Sequence, residues 1–114
     1  MSAEAGLVWC PFPSEEEARS VISTLLDEGL VACANIIPGM ISLYDWKGER
    51  GETREVGVLL KTHGSRLGDL SARLVQLHSY ESPAIMHWDV AAFPDSTQLW
   101  LEGLQTGNLH YGQD

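Results

Sequence analysis

The sequence predicts an α+β fold with the element order βαββαβ and a further helix at the C-terminus. A capped helical segment follows the first apolar run. Two long apolar runs then flank a short polar turn, and a leucine-striped segment precedes a fourth apolar run. The length of 114 residues suits one domain and is too short for two. We therefore predict a single domain over 1–114, with its core at about 6–104 and a polar tail at 105–114.

The first strand and the first helix are marked by their end signals. Residues 6–11 are a short apolar run closed by proline, which indicates a buried strand. Ser14 and Glu17 have the spacing of a capping box, and Gly29 stands where a C-cap glycine is expected. Five apolar residues at helical spacing predict the face that packs on the sheet, namely Ala18, Val21, Ile22, Leu25 and Leu26.

The middle of the chain predicts a long hairpin over 30–63. Pro38 and Gly39 interrupt its first arm, which indicates a bulge or bend in an edge strand. The remaining elements are expected at the following ranges: a turn at 47–52, the third strand at 53–62, the second helix at 65–78, the fourth strand at 82–91 and the last helix at 96–104.

The simplest layering of these elements is a four-stranded antiparallel sheet with two helices on one face, which is the ferredoxin-like arrangement. Strands and helices alternate in direction along the chain. The end of the first strand, the start of the first helix, the tip of the hairpin and the end of the second helix are therefore expected at one edge. The residues that fall there are Cys10, residues 15–17, Tyr44, Trp46 and residues 78–81, and the acidic run at 15–17 is interpreted as helix capping. The fold by itself does not define a function.

Composition excludes several classes of function. The net charge is -9, from 16 acidic and 7 basic residues, so we expect no nucleic-acid partner. No apolar run reaches the roughly 20 residues of a membrane helix, and the N-terminus has no secretory pattern, so no membrane partner is expected. The two cysteines, Cys10 and Cys33, do not form a disulfide framework. These features predict a cytoplasmic protein with reduced thiols.

Three stretches are similar to a known family. LVACANIIPGMISLYDWKGE, EVGVLLKT and LHSYESPAI occur in the order and spacing of the CutA divalent-cation-tolerance family, and the resemblance covers roughly residues 7–104. It implies a ferredoxin-like subunit in a tight homotrimer that is assembled through extended β-hairpins. It also implies tolerance to divalent metals and copper binding, with no established catalytic reaction. The predicted partners are copies of the chain itself and divalent metal ions.

The same resemblance implies a set of metal ligands. Cys10 matches a cysteine at the end of the first strand, while His78 and Glu81 match the histidine and the acid that follow the second helix. Thiolate, imidazole and carboxylate together suit Cu²⁺ or another divalent metal, bound weakly, and no organic cofactor is predicted. The family usually has proline after the histidine, where this chain has Ser79. The alternative is that Cys10 is a small buried hydrophobe and that His78 caps its own helix.

Two other classes of function compete with metal binding. A Cys–His pair suits nucleophilic catalysis, but the acidic loop PFPSEEE repels phosphate and no glycine-rich cradle is present, so we predict no enzyme. The alternative function is that of a PII-like trimeric signalling protein that binds a small organic ligand in clefts between subunits. The predicted cleft and interface residues are Tyr44, Trp46, Lys61 and Tyr80.

Overall fold

A computed structural model describes residues 4–107, so residue 108 and the rest of the predicted tail lie outside the described part. The elements are β1 (Ala5–Phe12), α1 (Glu15–Asp27), β2 (Cys33–Trp46), β3 (Glu49–His63), a 3₁₀ turn (Gly64–Arg66), α2 (Leu67–Leu77), β4 (Met86–Val90) and α3 (Asp95–Thr106). The predicted order βαββαβ with a C-terminal helix is confirmed. Within 4–107, no helix has the length and apolar character needed to span a membrane.

The four strands form one sheet in the order β2-β3-β1-β4, and every neighbouring pair is antiparallel. β1 is a central strand, and Val8, Cys10 and Phe12 are fully buried along it. These three side chains belong to a core that includes the apolar faces of α1 and α2. The predicted ferredoxin-like layering is therefore confirmed, with the end of β1 enclosed beneath the helices.

Helix α1 confirms most of its predicted end signals. The Ser14 side chain accepts a hydrogen bond from the Glu17 backbone N–H at 3.1 Å. Gly29, just beyond the helix, has a φ of 70°, as a C-cap glycine requires. The capping box is only half formed, because the Glu17 carboxylate accepts from the Ser79 backbone instead of returning to Ser14. Leu26, the last member of the predicted stripe, is exposed rather than packed.

The hairpin is more regular than the sequence suggests. A bulge separates Ile37 from Met40 on the edge strand β2, as the proline and glycine between them predict. The predicted turn over 47–52 is wrong. Trp46 pairs with Glu49, so the turn consists of Lys47 and Gly48 alone. The residues after Gly48 are polar because they lie on an exposed strand, rather than because they form a loop.

Among the described residues 4–107, no strand lies beside β3 along the outer half of the hairpin. β1 ends at Phe12, which pairs with Val56, and the β2–β3 ladder continues beyond that point to the turn. Large apolar side chains are exposed along this part of β2, namely Ile41, Leu43, Tyr44 and Trp46. An uncovered apolar ladder of this kind is a surface that natural sheets pair or cover.

Candidate functional site at the end of α2

The candidate site lies where β1 ends, α1 begins and α2 ends. His78 is the C-cap of α2, and its backbone N–H donates to the Leu74 carbonyl at 2.9 Å. Its imidazole is buried and stacks on Phe12, with 4.4 Å between ring centroids. The Tyr80 ring packs on it at 4.7 Å. Aromatic rings thus fix the plane of the imidazole.

Both ring nitrogens of His78 form hydrogen bonds, and their partners define the tautomer. Nε2 lies 2.7 Å from the Pro11 carbonyl oxygen, which only accepts, so Nε2 carries the hydrogen. The Tyr80 backbone N–H donates to Nδ1 at 3.0 Å, so Nδ1 presents its lone pair. The imidazole is therefore neutral. It hydrogen-bonds to the Pro11 carbonyl at the end of β1 rather than to the last carbonyls of α2, so the alternative in which the His78 side chain caps its own helix is wrong.

Cys10 approaches the same carbonyl. Its thiol donates to the Pro11 oxygen with a sulfur–oxygen distance of 3.8 Å, and the residue is fully buried. Burial, together with the nearby charges of Glu17 and Glu55, raises the pKa of the Cys10 thiol to about 12. The structure therefore brings Cys10 and His78 together around one backbone oxygen, with Cys10 protonated at neutral pH.

Two carboxylates that sequence reasoning did not assign to the site lie next to it. Glu17 Oε2 accepts a hydrogen bond from the Ser79 N–H at 3.0 Å and lies 3.7 Å from His78 Nδ1. Glu55 Oε2 accepts from the Tyr80 hydroxyl at 2.8 Å. Burial and this bond to Glu55 raise the pKa of Tyr80 to about 12. Within 4–107, neither carboxylate forms an ion pair with lysine or arginine.

The third predicted ligand, Glu81, differs from the first two in its burial. Glu81 is exposed, beyond the buried His78 and the half-buried Tyr80. Over residues 4–107, no three His, Cys, Asp or Glu side chains converge in the way that metal ligands do. The described subunit therefore assembles part of the predicted set, and a metal ion would require Glu81 or another donor to move.

The predicted cleft residues lie in different parts of the subunit. Tyr44 lies on the exposed hairpin, where its ring packs over Gly51. Trp46 lies next to the turn, with the Lys47 amine 5.9 Å from its ring centroid. Lys61 is half-buried and pairs with Leu7 and Cys33, near the opposite edge of the sheet from the turn.

A separate open groove of about 400 Å³ lies between α2 and the segment that leads into β4. Its lining residues are Ser71, Ala72, Val75, Pro83, Ile85 and His87. The Ser71 hydroxyl and His87 Nδ1 lie 2.6 Å apart within it. None of the predicted site residues lines this groove, and no sequence motif indicates it.

The donor atoms around His78 suit a borderline divalent metal. An imidazole nitrogen, carboxylate oxygens and, once deprotonated, a cysteine sulfur are the ligand types that Zn²⁺ and copper use in proteins. Of the two imidazole nitrogens, only Nδ1 has a lone pair in this tautomer. The chemistry of the donor set therefore fits a metal ion, at the cost of one backbone hydrogen bond to Nδ1.

Comparison with known proteins agrees with this fold. The family model described as CutA1 divalent ion tolerance protein matches residues 6–103. The divalent-cation tolerance protein CutA of Pyrococcus horikoshii is 39% identical over 95 residues, covering 83% of this chain and 92% of that protein. The protein of the same name from Thermus thermophilus is 42% identical over 79 residues, covering 69% of this chain and 77% of that one.

Solved structures show the same likeness. The divalent cation tolerance protein of Thermus thermophilus superposes with a TM-score of 0.81 at 35% identity, covering 93% of this chain and 99% of that chain. The CutA1 structure from Ehrlichia chaffeensis superposes with a TM-score of 0.83 at 27% identity, covering 90% and 95% of the two chains. The family model alone spans far more than half of the sequence. This chain therefore belongs to the CutA1 divalent ion tolerance protein family.

Proposed function

We propose that this protein is a homotrimer that binds a divalent metal ion, with copper as the first candidate, and that it contributes to tolerance of divalent cations. One observation carries the proposal. The donors Cys10 and His78 meet at the Pro11 carbonyl, beside two carboxylates that have no lysine or arginine partner within 4–107. The names of the relatives, divalent-cation tolerance proteins, support the same role.

The proposed ligands are Cys10 as thiolate, His78 as imidazole and Glu81 as carboxylate. In the described subunit, each ligand must lose a hydrogen bond, move or lose a proton before it can bind a metal ion. The Tyr80 N–H must leave His78 Nδ1, the exposed Glu81 must turn inward, and Cys10 must lose a proton from a thiol with a pKa of about 12. A bound metal supplies the positive charge that offsets the proton loss. Binding is therefore weak, and its affinity rises with pH as ligand protons are released.

The proposed trimer is supported by the outer hairpin. Its exposed side chains include Leu43, 73% exposed, and Trp46, 57% exposed, on a ladder beside which the described part of the chain places no third strand. A second copy of the chain covers such a ladder and removes its open edge. Tyr44, Trp46 and Tyr80 then line the clefts between subunits, and Lys61 contributes to the interface.

A binding role is favoured over catalysis by the state of Cys10. The thiolate is the nucleophilic form of cysteine, and a fully buried thiol with a pKa of about 12 stays protonated at neutral pH. Cys10 and Cys33 are both free thiols, which suits the reducing cytoplasm where we propose that the protein acts.

The test is isothermal titration of the tag-free protein with Cu²⁺ and Zn²⁺, beside the variant His78→Ala. His87→Ala is the matched control, because His87 is an exposed histidine outside the cluster. We expect stoichiometric binding in the wild type, at least a tenfold loss in His78→Ala and little change in His87→Ala. Repeating the titration at pH 6 should weaken binding. Equal binding by all three proteins would show that the metal sits elsewhere and would reject the site.

A second candidate function is the binding of a small organic ligand in the same cleft. Tyr80 is half-buried with its hydroxyl fixed on Glu55, and the exposed Tyr44 is close enough to influence its pKa. Aromatic walls around a carboxylate suit a small ligand with a hydrogen-bond donor. The variant Cys10→Ser separates the two functions, because it removes the thiolate needed for metal and leaves this surface intact.

A further inference from the structure

We propose that Ser71 is an acylation site: its hydroxyl, paired with His87 in the open groove beside α2, accepts an acyl group from small activated carboxylic esters. Both side chains line that groove, and they are hydrogen-bonded to each other. The pair lies outside the cluster around His78, and its reaction needs no metal ion. The site therefore goes beyond the proposed function and does not depend on it.

The sheet register turns His87 towards the helices. His87 pairs with Val8 across the β1–β4 ladder, and residues directly opposite each other in an antiparallel ladder point to the same face. Val8 is fully buried in the core that the helices cover, so the imidazole lies on that side of the sheet as well. Because β4 is an edge strand, His87 remains exposed. Ser71 meets it from α2, one residue after the fully buried Leu70.

The contact between Ser71 and His87 has the geometry of a nucleophile and its base. Ser71 Oγ lies 2.6 Å from His87 Nδ1, within the range of about 2.6–3.2 Å for such pairs. Hydroxyls on helices often donate to the carbonyl four residues earlier, as Thr24 and Thr97 do. Within residues 4–107, the Ser71 hydroxyl bonds to the imidazole nitrogen instead. In the tautomer that carries its hydrogen on Nε2, Nδ1 accepts the Ser71 proton.

The groove has room for a short acyl chain. Its volume of about 400 Å³ falls within the roughly 300–1,000 Å³ of small-molecule sites. No Lys, Arg, Asp or Glu is among its lining residues in the described part of the chain, so it suits an uncharged molecule. A chain of a few carbons loses contact with water there, with its carbonyl carbon beside the Ser71 oxygen. The apolar residues that would contact it are Ala72, Val75, Pro83 and Ile85.

The proposed step transfers one acyl group to the protein. Ser71 Oγ attacks the carbonyl carbon of the ester and forms a new C–O bond, while the bond from that carbon to the departing oxygen breaks and its electron pair leaves with that oxygen. The hydroxyl proton moves to His87 Nδ1 and then to the departing oxygen. The products are a Ser71 ester and an alcohol, so no oxidant or reductant takes part.

The surroundings of the pair favour a single acylation over turnover. The N–H groups of α2 around Ser71 are bonded within the helix, and the Ile85 N–H donates to the Pro83 carbonyl at 3.0 Å. Water therefore meets the developing oxyanion, and loss of one fixed donor costs about 10²–10³-fold in rate. Within residues 4–107, no carboxylate forms an ion pair with His87 as in a hydrolytic triad. Attack by water on the Ser71 ester is slow for the same reasons, so the ester accumulates.

The test treats the full chain with p-nitrophenyl butyrate and follows acylation by mass spectrometry after trypsin digestion. Trypsin releases residues 67–73, in which Ser71 is the only hydroxyl side chain, and residues 62–66, which contain Ser65. Ser65 is an internal control. Its Oγ lies 2.9 Å from His63 Nδ1, but its own N–H also donates to that nitrogen, and neither residue lines the groove. We expect residues 67–73 to gain a butyryl group at least tenfold faster than residues 62–66.

Two variants and a shorter ester test the role of each part. Ser71→Ala should leave residues 67–73 unlabelled. His87→Asn keeps a hydrogen-bonding group near the place of Nδ1 but is no base, so labelling should slow at least tenfold, and circular dichroism checks that both variants fold. p-Nitrophenyl acetate should label Ser71 at least about threefold more slowly than the butyrate, since its chain buries two fewer methylenes.

Three results would each overturn the assignment: unchanged labelling in His87→Asn, equal labelling of Ser65 and Ser71, or acetate that labels Ser71 as fast as butyrate. The first would show that the imidazole is no base, the second that any serine beside a histidine reacts, and the third that the groove does not hold the chain. The reaction is run without metal ions, so none of these results bears on the proposed metal site.

Discussion

The two halves of the β2–β3 hairpin follow the same strand pattern and have opposite surroundings. In the inner half, Val58 and Leu60 are completely buried beside β1 and beneath the helices. In the outer half, Ile41 and Leu43 are 56% and 73% exposed on an equally regular ladder. Side-chain alternation selects the face of a strand, while burial requires a neighbour on that face. The outer half lacks that neighbour within the described chain.

The candidate site lies at the boundary between these halves. The bulge falls between Ile37 and Met40, and Glu55 pairs with Met40 immediately beyond it. Glu55 accepts from Tyr80, whose backbone in turn donates to His78. A partner that covers the outer hairpin therefore comes close to the site. Assembly and ligand binding are expected to influence each other through Tyr80 and Glu55.

The largest expected effect contrasts one leucine from each half. Leu60→Ala opens a cavity in the core, and we expect it to lower the free energy of unfolding by about 2–5 kcal/mol. Leu43→Ala removes an exposed side chain and should cost the separate subunit less than about 0.5 kcal/mol. Urea denaturation measures both changes. In size-exclusion chromatography with light scattering, Leu43→Ala should instead dissociate at a higher protein concentration than the wild type.

Two outcomes would break this contrast. If Leu43→Ala destabilises the dissociated subunit as much as Leu60→Ala does, the outer half must be packed within the chain itself. Unchanged dissociation of Leu43→Ala would mean that the exposed ladder does not form the subunit interface. Ser42→Ala is a suitable control on the same strand, because it changes a small, half-buried side chain.

A smaller effect is expected when alanine replaces one glycine from each half of the hairpin. A Cβ at Gly57 meets the Trp9 ring and also lies 3.2 Å from the Met40 sulfur, whereas a Cβ at Gly51 meets only the Tyr44 ring among its nearest atoms. Tyr44 is exposed and is free to swing away, while Gly57 is buried between the strands. We expect Gly57→Ala to cost about 1–3 kcal/mol, and Gly51→Ala to cost clearly less. Thermal and urea unfolding measure both, and equal costs would contradict the difference in packing.

The order of the elements was predictable because its signals are local. Ser14, Gly29 and the proline–glycine bulge each act within a few residues, and the structure has them as predicted. The turn was misjudged because polar residues after Gly48 resemble a loop in composition, although they pair across the ladder. Exposed strands and loops can both be rich in polar residues, so composition does not separate them.

The candidate site was predictable only in part. Alternating chain direction was enough to bring Cys10 and His78 to one edge, but their meeting at the Pro11 carbonyl depends on side-chain packing. Glu17 was assigned to capping from its distance to Ser14, whereas its carboxylate bonds to Ser79, 62 residues away. The spacing of neighbouring residues does not predict a contact between residues so far apart in the sequence. Glu55 is one of several alternating polar residues on β3, and only the position of Tyr80 distinguishes it.

The smallest expected effect lies at the tip of the outer half. Lys47 has a φ of 53° and Gly48 a φ of 83°, the left-handed geometry of a two-residue type I′ turn. Asparagine adopts this conformation more readily than lysine, so Lys47→Asn should relieve strain of about 1 kcal/mol. The substitution also removes the lysine cation near the Trp46 ring, worth about 0.5 kcal/mol at an exposed site. The net gain is therefore small and confined to the tip.

Lys47→Met separates these two contributions, because it loses the cation and keeps a side chain unsuited to positive φ. Amide hydrogen exchange near the turn should slow in Lys47→Asn and quicken in Lys47→Met, with no change at Leu60 in either variant. Faster exchange in both variants would mean that the cation over Trp46 outweighs turn geometry. Slower exchange that reached Leu60 would mean that the two halves of the hairpin open as one unit. The inner half would then depend on the tip, despite the core that covers it.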